Sequence, residues 1–459
     1  MSQENFKENI IIGAGIAGLS AAYNLHKKED DFLLFEKDNR LGGTWQSLKY
    51  KDSIFEFGPN TIIDKSEALR ELICFAGIED EILTSDLKDS KRFFYRNNKL
   101  IEVSPSPLKM VFSKLLGLKA KFRILKEPFI KSKSNKDESV FDFFQRRFGK
   151  DFAQYIVAPA LQGVWGGDIR QLNMSAALKT LYELEQRHSS IIRGFLFSKK
   201  DKKKSERLRT ISFKNGLEDL CTKIGAAIGQ AKIKINSELL SIEKEDDFYK
   251  LQIRRGKNLE YYHCKNLILA CPATISGKLL AELSPKLSTA LQNIYYAPIS
   301  LVAYSIPKSL VKGKEYIFDA FGFLNSTNAH FTLGSIFASS LFKERNIEDE
   351  HLFISFIGGS KNAQIIDFEE SDLNAIALNE AKEIFDNALD TNINLEDINF
   401  IDSKFIKQAI PQYNDNYLKA KTIIDSELAK TPNLELLGNY MNGVSIVDTI
   451  EDSQKISKI

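Results

Sequence analysis

The sequence predicts an α/β fold in which a Rossmann-like sheet domain is assembled from separate parts of the chain. A glycine-rich turn stands near the N-terminus, between a short apolar run and a helical pattern. An acidic residue follows at the distance expected for the end of a second strand. Apolar runs in the middle and near the C-terminus favour further strands that return to this sheet, so we predict a discontinuous domain.

The first element is a βαβ unit. Asn9–Ile12 is typical of a buried parallel strand, Leu19–His26 has a helical pattern, and Phe32–Phe35 is a second strand. In the turn after the first strand, the first glycine permits a tight bend, the second lets a pyrophosphate approach, and the third lets the helix pack closely. Glu36, 18 residues beyond Gly18, is placed to accept from ribose hydroxyls. The predicted dinucleotide contacts are Gly13, Ala14, Gly15, Ile16, Ala17, Gly18, Glu36 and Lys37.

Two further glycine turns decide which dinucleotide is expected. The run Leu41-Gly42-Gly43-Thr44 closely follows the second strand, and Gly58-Pro59-Asn60-Thr61 follows another strand at Ser53–Phe57. Each alone is only a turn. At this spacing the two together resemble the FAD-binding signature of the flavin amine oxidase superfamily. The resemblance places Gly43, Thr44, Gly58, Pro59, Asn60 and Thr61 beside the flavin and its phosphates.

Later segments complete the predicted FAD domain. Lys232–Glu243 alternates like a strand with a break and includes the cofactor candidate Leu239. Asn266–Cys271 is a buried strand that stops at a proline. Leu434–Leu437 leads into a glycine turn and a short helix, where Val444, Ser445 and Ile446 are expected at the cofactor because a helix N-terminus favours anions.

Composition narrows the function classes. The chain has 459 residues, 43% hydrophobic and 27% charged, with a net charge of +2, which favours neither nucleic acid nor an acidic partner. Its four cysteines and five histidines show no ligand spacing, so we predict no metal site and reduced thiols. No apolar run is long enough to span a bilayer, and the N-terminus resembles neither a signal nor a transit peptide. We therefore expect a cytoplasmic protein.

Residues 105–136 differ from their surroundings because basic and apolar residues alternate there with a single acid, Glu127. A basic amphipathic helix can lie on an anionic membrane surface. A solvated helical face packed on the core is an equally good interpretation of the pattern alone. A second basic run, Lys199–Arg209, has no apolar face and is predicted to be a solvated loop.

Motifs along the whole chain resemble the protoporphyrinogen oxidase family, closest to its plastid and cyanobacterial type. Besides the FAD turns, they are Lys91–Tyr95, Ser104–Leu108, Ala158–Asp168 (APALQGVWGGD), Ser212–Leu217, Phe321–Leu324, Thr332–Phe337 (TLGSIF), Phe356–Ser360, Ala409–Tyr413 (AIPQY) and Gly438–Tyr440. The FAD turns occur across the superfamily. The VWGGD, TLGSIF and AIPQY segments are more specific to this family.

The resemblance implies a porphyrinogen substrate with two propionates, oxidised to the porphyrin in three flavin cycles with O2 as acceptor and H2O2 as product. Arg92 aligns with the family's propionate-binding arginine, and a guanidinium can bind a carboxylate bidentately. Phe337 aligns with a ring that packs on a substrate pyrrole, and Gly167 with a backbone contact to the macrocycle. The structural alternatives are a surface arginine for Arg92 and plain core packing for Phe337. We predict no catalytic side chain, because the flavin itself accepts the hydride.

The predicted organisation follows the resemblance. A discontinuous Rossmann-like FAD domain comprises residues 1–90, 206–289 and 400–459, a substrate domain on an antiparallel sheet comprises 91–104 and 290–399, and a helical membrane-facing domain comprises 105–205. The implied partners are the porphyrinogen, O2 and a peripheral membrane surface, with a homodimer left open. Two departures from the superfamily pattern are the missing arginine after Gly42-Gly43 and the polar residues Asn442 and Ser445 in the C-terminal turn.

Other functions stay open at this point. One is oxidation of coproporphyrinogen III, a tetracarboxylate, by the same fold. A second is a carotenoid desaturase or an amine oxidase of the superfamily, against which the family-specific segments count. A third is a flavin-free escort protein, against which the intact glycine turn and Glu36 count.

Overall fold

A computed structural model describes residues 5–86, 91–104, 113–198, 209–327, 329–454 and 456. Within these ranges two large sheets and a layer of helices form the molecule. Two predicted features lie partly outside the described residues: the start of the basic amphipathic stretch, together with most of the Ser104–Leu108 motif, and nearly all of the run Lys199–Arg209.

The strands of the described residues follow in chain order. They are β1 (Phe6–Ile12), β2 (Phe32–Phe35), β3 (Ser47–Tyr50), β4 (Ser53–Glu56), β5 (Ile62–Asp64), β6 (Ile82–Asp86), β7 (Lys91–Arg96), β8 (Lys99–Glu102), β9 (Arg209–Phe213), β10 (Ile233–Lys234), β11 (Ser237–Glu245), β12 (Phe248–Arg255), β13 (Asn258–Leu269), β14 (Tyr296–Pro307), β15 (Ala320–Asn325), β16 (Thr332–Phe337), β17 (Glu350–Gly358), β18 (Asn399–Pro411) and β19 (Leu434–Leu436).

The α-helices of the described residues are named in the same way. They are α1 (Ile16–Lys27), α2 (Glu67–Ala76), α3 (Leu118–Leu125), α4 (Val140–Phe148), α5 (Lys150–Phe152), α6 (Ala158–Trp165), α7 (Met174–Ala177), α8 (Lys179–His188), α9 (Ile191–Ser198), α10 (Leu217–Ile228), α11 (Ala273–Leu279), α12 (Pro285–Gln292), α13 (Glu315–Phe318), α14 (Ala338–Leu341), α15 (Glu370–Leu389), α16 (Asp415–Leu428) and α17 (Ile446–Ser453). Short 3-10 turns occupy Glu79–Glu81, Glu127–Phe129, Lys308–Val311, Lys343–Arg345, Ser360–Asp367 and Leu395–Asp397, and a π turn occupies Ala153–Val157.

The first sheet is parallel at its centre and joins distant parts of the chain. Its parallel strands lie in the order β10–β2–β1–β13, and β19 is also parallel to β13. The antiparallel strands β11 and β12 extend it through the first half of β13. Helix α1 packs against α10 and α17 on one face. The N-terminus of α1 therefore opens at the carboxyl edge of the strands, where doubly wound sheets bind ligands.

The second sheet has the order β18–β14–β17–β16–β15–β7–β8. The sequence predicted an antiparallel sheet, and this is wrong for one pair: β7 and β15 are parallel. The two strands are far apart in the chain and no hairpin joins them, so the connection does not impose an antiparallel direction. We predicted that the substrate domain ends at residue 399. The second sheet continues past that residue, because β18 pairs with β14 and forms the outer strand.

The layer formed by α3–α9 has buried ions at its centre. Arg147 and Glu185 have no exposed side-chain surface, and the Arg147 Nε donates to the Glu185 carboxylate. Arg147 also donates to the carbonyl oxygens of Ile130, Ser132 and Ser189. The buried Glu127 accepts from the Ser190 hydroxyl and two backbone N–H groups at the start of α9. Such saturation with partners is what makes buried charges tolerable.

Across the described ranges, every helix is too short or too polar to cross a bilayer.

Candidate functional site

The predicted glycine turn connects β1 to α1 through positions that require glycine. Gly13 has a φ of +102°, and its N–H donates to the Phe35 carbonyl at 2.8 Å. A Cβ on Gly18 would overlap the carbonyl oxygen of Gly13. A Cβ on Gly15, in contrast, would meet no protein atom within 4 Å. Gly13 and Gly18 thus serve the protein's own packing, whereas Gly15 borders open space.

The first turn of α1 is prepared for an anion. Gly15 is the N-cap and has no side chain to satisfy the free N–H groups, and the first turn contains no acidic residue. Ile16, Ala17 and Gly18 are buried in that turn. Free N–H groups and the helix dipole together favour a phosphate at such an end.

Glu36 is buried beside this turn, with 6% of its surface exposed. One carboxylate oxygen accepts from the Ala14 N–H at 2.7 Å and the other from the Asp38 N–H at 2.9 Å. The carboxylate therefore fixes the turn itself, a role that the sequence analysis did not foresee. Its predicted ribose contact stays a prediction, as does the contact of Lys37, whose ammonium lies 2.9 Å from an Asp38 carboxylate oxygen.

The segments Gly42–Thr44 and Gly58–Thr61, which we call the two cofactor loops, pack against the glycine turn in series. The Gly42 N–H donates to the Ala14 carbonyl at 2.8 Å. A Cβ on Gly43 would lie 3.4 Å from the Cα of Gly15, and one on Gly58 would lie 2.6 Å from the Thr44 carbonyl oxygen. The Asn60 amide donates to the Gly58 carbonyl at 3.2 Å, while Pro59 and Thr61 are half-buried.

Arg40 organises the first loop and was missed by the sequence analysis. Its guanidinium donates to the carbonyl oxygens of Leu41, Gly43 and Trp45 and to the Glu218 carboxylate at 2.9 Å. The superfamily pattern has an arginine after the glycine pair, whereas this one precedes it. The available signal was the position of Arg40 between Glu36 and Gly42, although its acidic partner comes from α10, much later in the chain.

The remaining cofactor candidates lie along the same edge of the first sheet. β11 begins beside Glu36, where the Ser237 N–H donates to the Glu36 carbonyl at 2.8 Å, and Leu239 is buried on this strand. Ser445 is the N-cap of α17 and accepts from the Asp448 N–H at 3.1 Å. Val444 and Ile446 flank it and are half-buried.

This arrangement suits a dinucleotide cofactor such as FAD. A free helix N-terminus, open space at Gly15 and half-exposed backbone at Gly13, Gly43 and Gly58 line one edge of the sheet. FAD bound there would place its pyrophosphate at the glycine turn and its flavin near the two cofactor loops. The residues present are consistent with that group, because backbone N–H groups and glycines allow close approach.

Arg92 lies on β7 and is a half-buried cation. Burial lowers the pKa of its guanidinium, its Nε has no hydrogen-bond partner, and its Cζ lies 5.0 Å from the centre of the Phe321 ring. No carboxylate of the described residues forms an ion pair with it. A guanidinium in such a place favours an acidic ligand, since an unpaired buried charge is costly.

Phe337 lies on the opposite face of the second sheet from this arginine. Only 1% of its surface is exposed, and it packs among Phe318, Phe353 and Phe385 beneath α15. Its neighbour Ile336 packs instead with Phe321 in a separate apolar cluster. The structure therefore does not bring Phe337 together with Arg92, and its predicted contact with a pyrrole stays a prediction.

The Gly166-Gly167 turn is enclosed by two other family segments. The Gly166 carbonyl accepts from the Ser360 N–H at 2.6 Å, and the Gln412 amide donates to the Trp165 carbonyl at 2.7 Å. A Cβ on Gly167 would lie 2.5 Å from the Gln412 side-chain oxygen. A side chain here would displace the buried Gln412 amide, so protein packing by itself favours a glycine. The backbone contact to a macrocycle remains a prediction.

Side chains that could act as acids, nucleophiles or metal ligands do not converge at this site. No group of three or more His, Cys, Asp or Glu residues in the described part of the chain is arranged to hold a metal. Burial raises the pKa of the Cys271 thiol beside the glycine turn to about 12, so this thiol stays protonated near neutral pH.

The chain is similar to known proteins over nearly its whole length. The model of the flavin-containing amine oxidoreductase family matches residues 16–453. Protoporphyrinogen oxidase 2 of Arabidopsis thaliana is 26% identical, covering 99% of this chain and 93% of the relative. Coproporphyrinogen III oxidase of Bacillus subtilis is 24% identical, covering 98% of this chain and 96% of the relative. A crystal structure from Exiguobacterium sp. 255-15 superposes with a TM-score of 0.77 at 19% identity, covering 99% of this chain and 98% of that one.

Proposed function

The chain belongs to the flavin-containing amine oxidoreductase family and is an FAD-dependent oxidoreductase, and we propose that it oxidises protoporphyrinogen IX to protoporphyrin IX with O2 as acceptor. Six electrons and six protons leave the substrate and reduce three O2 to three H2O2. The glycine turn and the two cofactor loops would hold FAD, whose flavin would supply the hydride-accepting chemistry that oxidation of the macrocycle requires. The names of two aligned relatives, one a protoporphyrinogen oxidase and one a coproporphyrinogen III oxidase, support a porphyrinogen as substrate.

Arg92 is the observation that carries the substrate proposal. Its guanidinium is half-buried, bonded to no described carboxylate, and next to the ring of Phe321 and the cluster that contains Ile336. This combination of one cation with apolar neighbours fits a flat macrocycle that carries carboxylates. A single bidentate ion pair would orient the substrate without any chemical role for Arg92.

The same observation separates the proposal from its alternatives. Coproporphyrinogen III has four carboxylates and would require more cations at the site than a substrate with two propionates. A primary amine substrate would be repelled by Arg92, since both are positively charged. A protein that binds no flavin would purify without colour, which is the result expected of an escort protein.

The deciding experiment gives purified holoenzyme protoporphyrinogen IX and coproporphyrinogen III separately and follows porphyrin fluorescence in air. Arg92→Ala is expected to raise the apparent KM roughly ten- to a hundredfold, because a charge-assisted hydrogen bond is lost, while FAD content stays unchanged. Lys99→Ala removes an exposed cation from the neighbouring strand and is the matched control. Turnover of neither substrate would refute the proposal, and an unchanged KM in Arg92→Ala would refute the role of this residue.

We further propose that the helical layer docks on an anionic membrane surface. Leu118, Phe122, Leu125 and Phe129 follow one another at helical spacing and are 64–78% exposed. Phe195, Leu196 and Phe197 on α9 are also exposed, and Glu127 bonds the start of α9 next to the first group. Exposed apolar side chains from two linked segments, with the exposed Lys119 and Lys126 next to the first group in the chain, give a surface of mixed apolar and basic character. Such a surface supports interfacial binding because apolar burial and lipid charge act together.

Co-sedimentation with vesicles tests this docking. Phe122→Ser together with Phe129→Ser should weaken binding to vesicles that contain phosphatidylserine, and added salt should weaken binding of the unaltered protein. Tyr316→Ser removes a similarly exposed aromatic residue from the second-sheet domain and serves as the control. Equal binding by the double variant and the control would contradict the proposal.

A further inference from the structure

Lys404 lies where the second sheet meets the two cofactor loops. It is on β18, opposite Leu301 of β14. Its Nζ donates to the Thr44 carbonyl and the Phe57 carbonyl, both at 3.3 Å. One ammonium group therefore touches the last residue of the first loop and the residue that precedes the second. No other described side chain is bonded to both.

The charge on Lys404 is not balanced by a nearby acid. No described carboxylate lies within ion-pair distance of its Nζ, whereas Arg40 is paired with Glu218 and Lys37 with Asp38. Burial, and next Arg40, lowers the pKa of Lys404 to about 8, and Glu218 acts in the opposite direction. Two carbonyl oxygens use two of the three ammonium protons, which leaves the third for another acceptor.

We propose that Lys404 is a positioning residue for FAD, which holds the two cofactor loops together and supplies them with a net positive charge. FAD is a dianion with many acceptor atoms, so a cation attached to both loops favours the bound state electrostatically and by ordering the loops. The group couples the second sheet to the cofactor as well, because β18 carries it. This role depends only on the protonated form, since neutral lysine loses the charge.

The charge on Lys404 determines the direction in which FAD affinity changes with pH. FAD binds the protonated form better, so its affinity is constant well below the pKa of about 8 in the free protein and falls as pH rises through it. The charged groups that face Lys404 are Arg40 and Glu218, and these form a pair of their own.

The experiment measures FAD affinity of the apoprotein by flavin fluorescence between about pH 6.5 and 9.5, a range that brackets the titration. Lys404→Gln should weaken binding roughly ten- to a hundredfold at the low end, as expected for one lost charge-assisted contact, and should show a flatter pH profile. Lys404→Arg keeps the charge at every pH and should bind FAD with little pH dependence. Lys407→Gln, an exposed lysine on the same strand, is the matched control.

Two results would overturn the proposal. One is Lys404→Gln binding FAD as tightly as Lys407→Gln, and the other is Lys404→Arg keeping the pH dependence of the unaltered protein. The arginine variant decides the matter even if the glutamine variant does not fold, as judged from thermal melting of the apoprotein. The proposal concerns FAD binding alone, so a failure to oxidise porphyrinogen would leave it standing.

Discussion

The cofactor edge of the first sheet and the helical layer achieve rigid geometry by opposite means. At the cofactor edge, backbone groups bond to each other, as when Gly42 donates to the carbonyl of Ala14, and glycines let these segments touch. In the helical layer, the centre is an ion cluster of Arg147, Glu185 and Glu127 that takes partners from several segments. Substitutions in the first region should therefore destabilise the protein through steric overlap, and substitutions in the second should destabilise it by leaving buried charges unpaired.

The largest effect is expected in the helical layer. Arg147→Met should lower the free energy of unfolding by about 3–5 kcal/mol, because it leaves the buried Glu127 without its ion-pair partner and the buried Glu185 with Arg146 alone. Urea unfolding of the apoprotein measures this. The control Arg187→Met removes an exposed arginine paired with Glu183 and should cost less than about 0.5 kcal/mol. Equal effects of the two variants would show that burial of the ion pair is not what stabilises this layer.

Steric defects at the cofactor edge should be smaller. Gly18→Ala should lower the free energy of unfolding of the apoprotein by about 1–3 kcal/mol, since its Cβ would overlap the Gly13 carbonyl and force α1 away from β1. The same urea titration measures the change. A variant as stable as the unaltered protein would mean that α1 shifts at no cost, and the distinction between steric and electrostatic regions would weaken.

The smallest change in stability is expected at Gly15, three residues before Gly18. Gly15→Ala should change the free energy of unfolding of the apoprotein by less than about 1 kcal/mol, because its Cβ meets no protein atom. FAD affinity should nevertheless fall about tenfold or more, since the methyl group would occupy the space that a pyrophosphate approaches. Fluorescence titration and urea unfolding of the same sample separate the two effects. Unchanged FAD affinity would place the pyrophosphate elsewhere.

Sequence reasoning served the cofactor edge better than the substrate side, and the cause is the range of the interactions. The strand, glycine turn, helix and following strand are neighbours in the chain, so local patterns predicted β1, α1 and β2. The role of Arg40 was not predicted because its acidic partner, Glu218, comes 178 residues later. Nothing local indicates that a loop arginine will meet a carboxylate from another helix.

On the substrate side, the direction and register of each strand determine what a residue can contact. Phe337 and Ile336 are adjacent, yet they point to opposite faces of β16, and the motif does not reveal which face meets Arg92. The parallel pairing of β7 with β15 was equally invisible, because it depends on where a distant strand is inserted. Lys404 was missed for the same reason: its two acceptors belong to loops at the other end of the chain.

The pairing of β7 with β15 also has a consequence for biosynthesis. The strand that carries Arg92, β7, pairs locally with β8. Its other edge stays unpaired until β15 has been synthesised, more than two hundred residues later. At about 5–20 residues per second of translation, that wait is on the order of 10–50 s. During this interval the nascent hairpin exposes a free edge, which is a template for unwanted strand pairing. Ribosome-bound chains that end before β15 should therefore depend on chaperones more than the finished protein does.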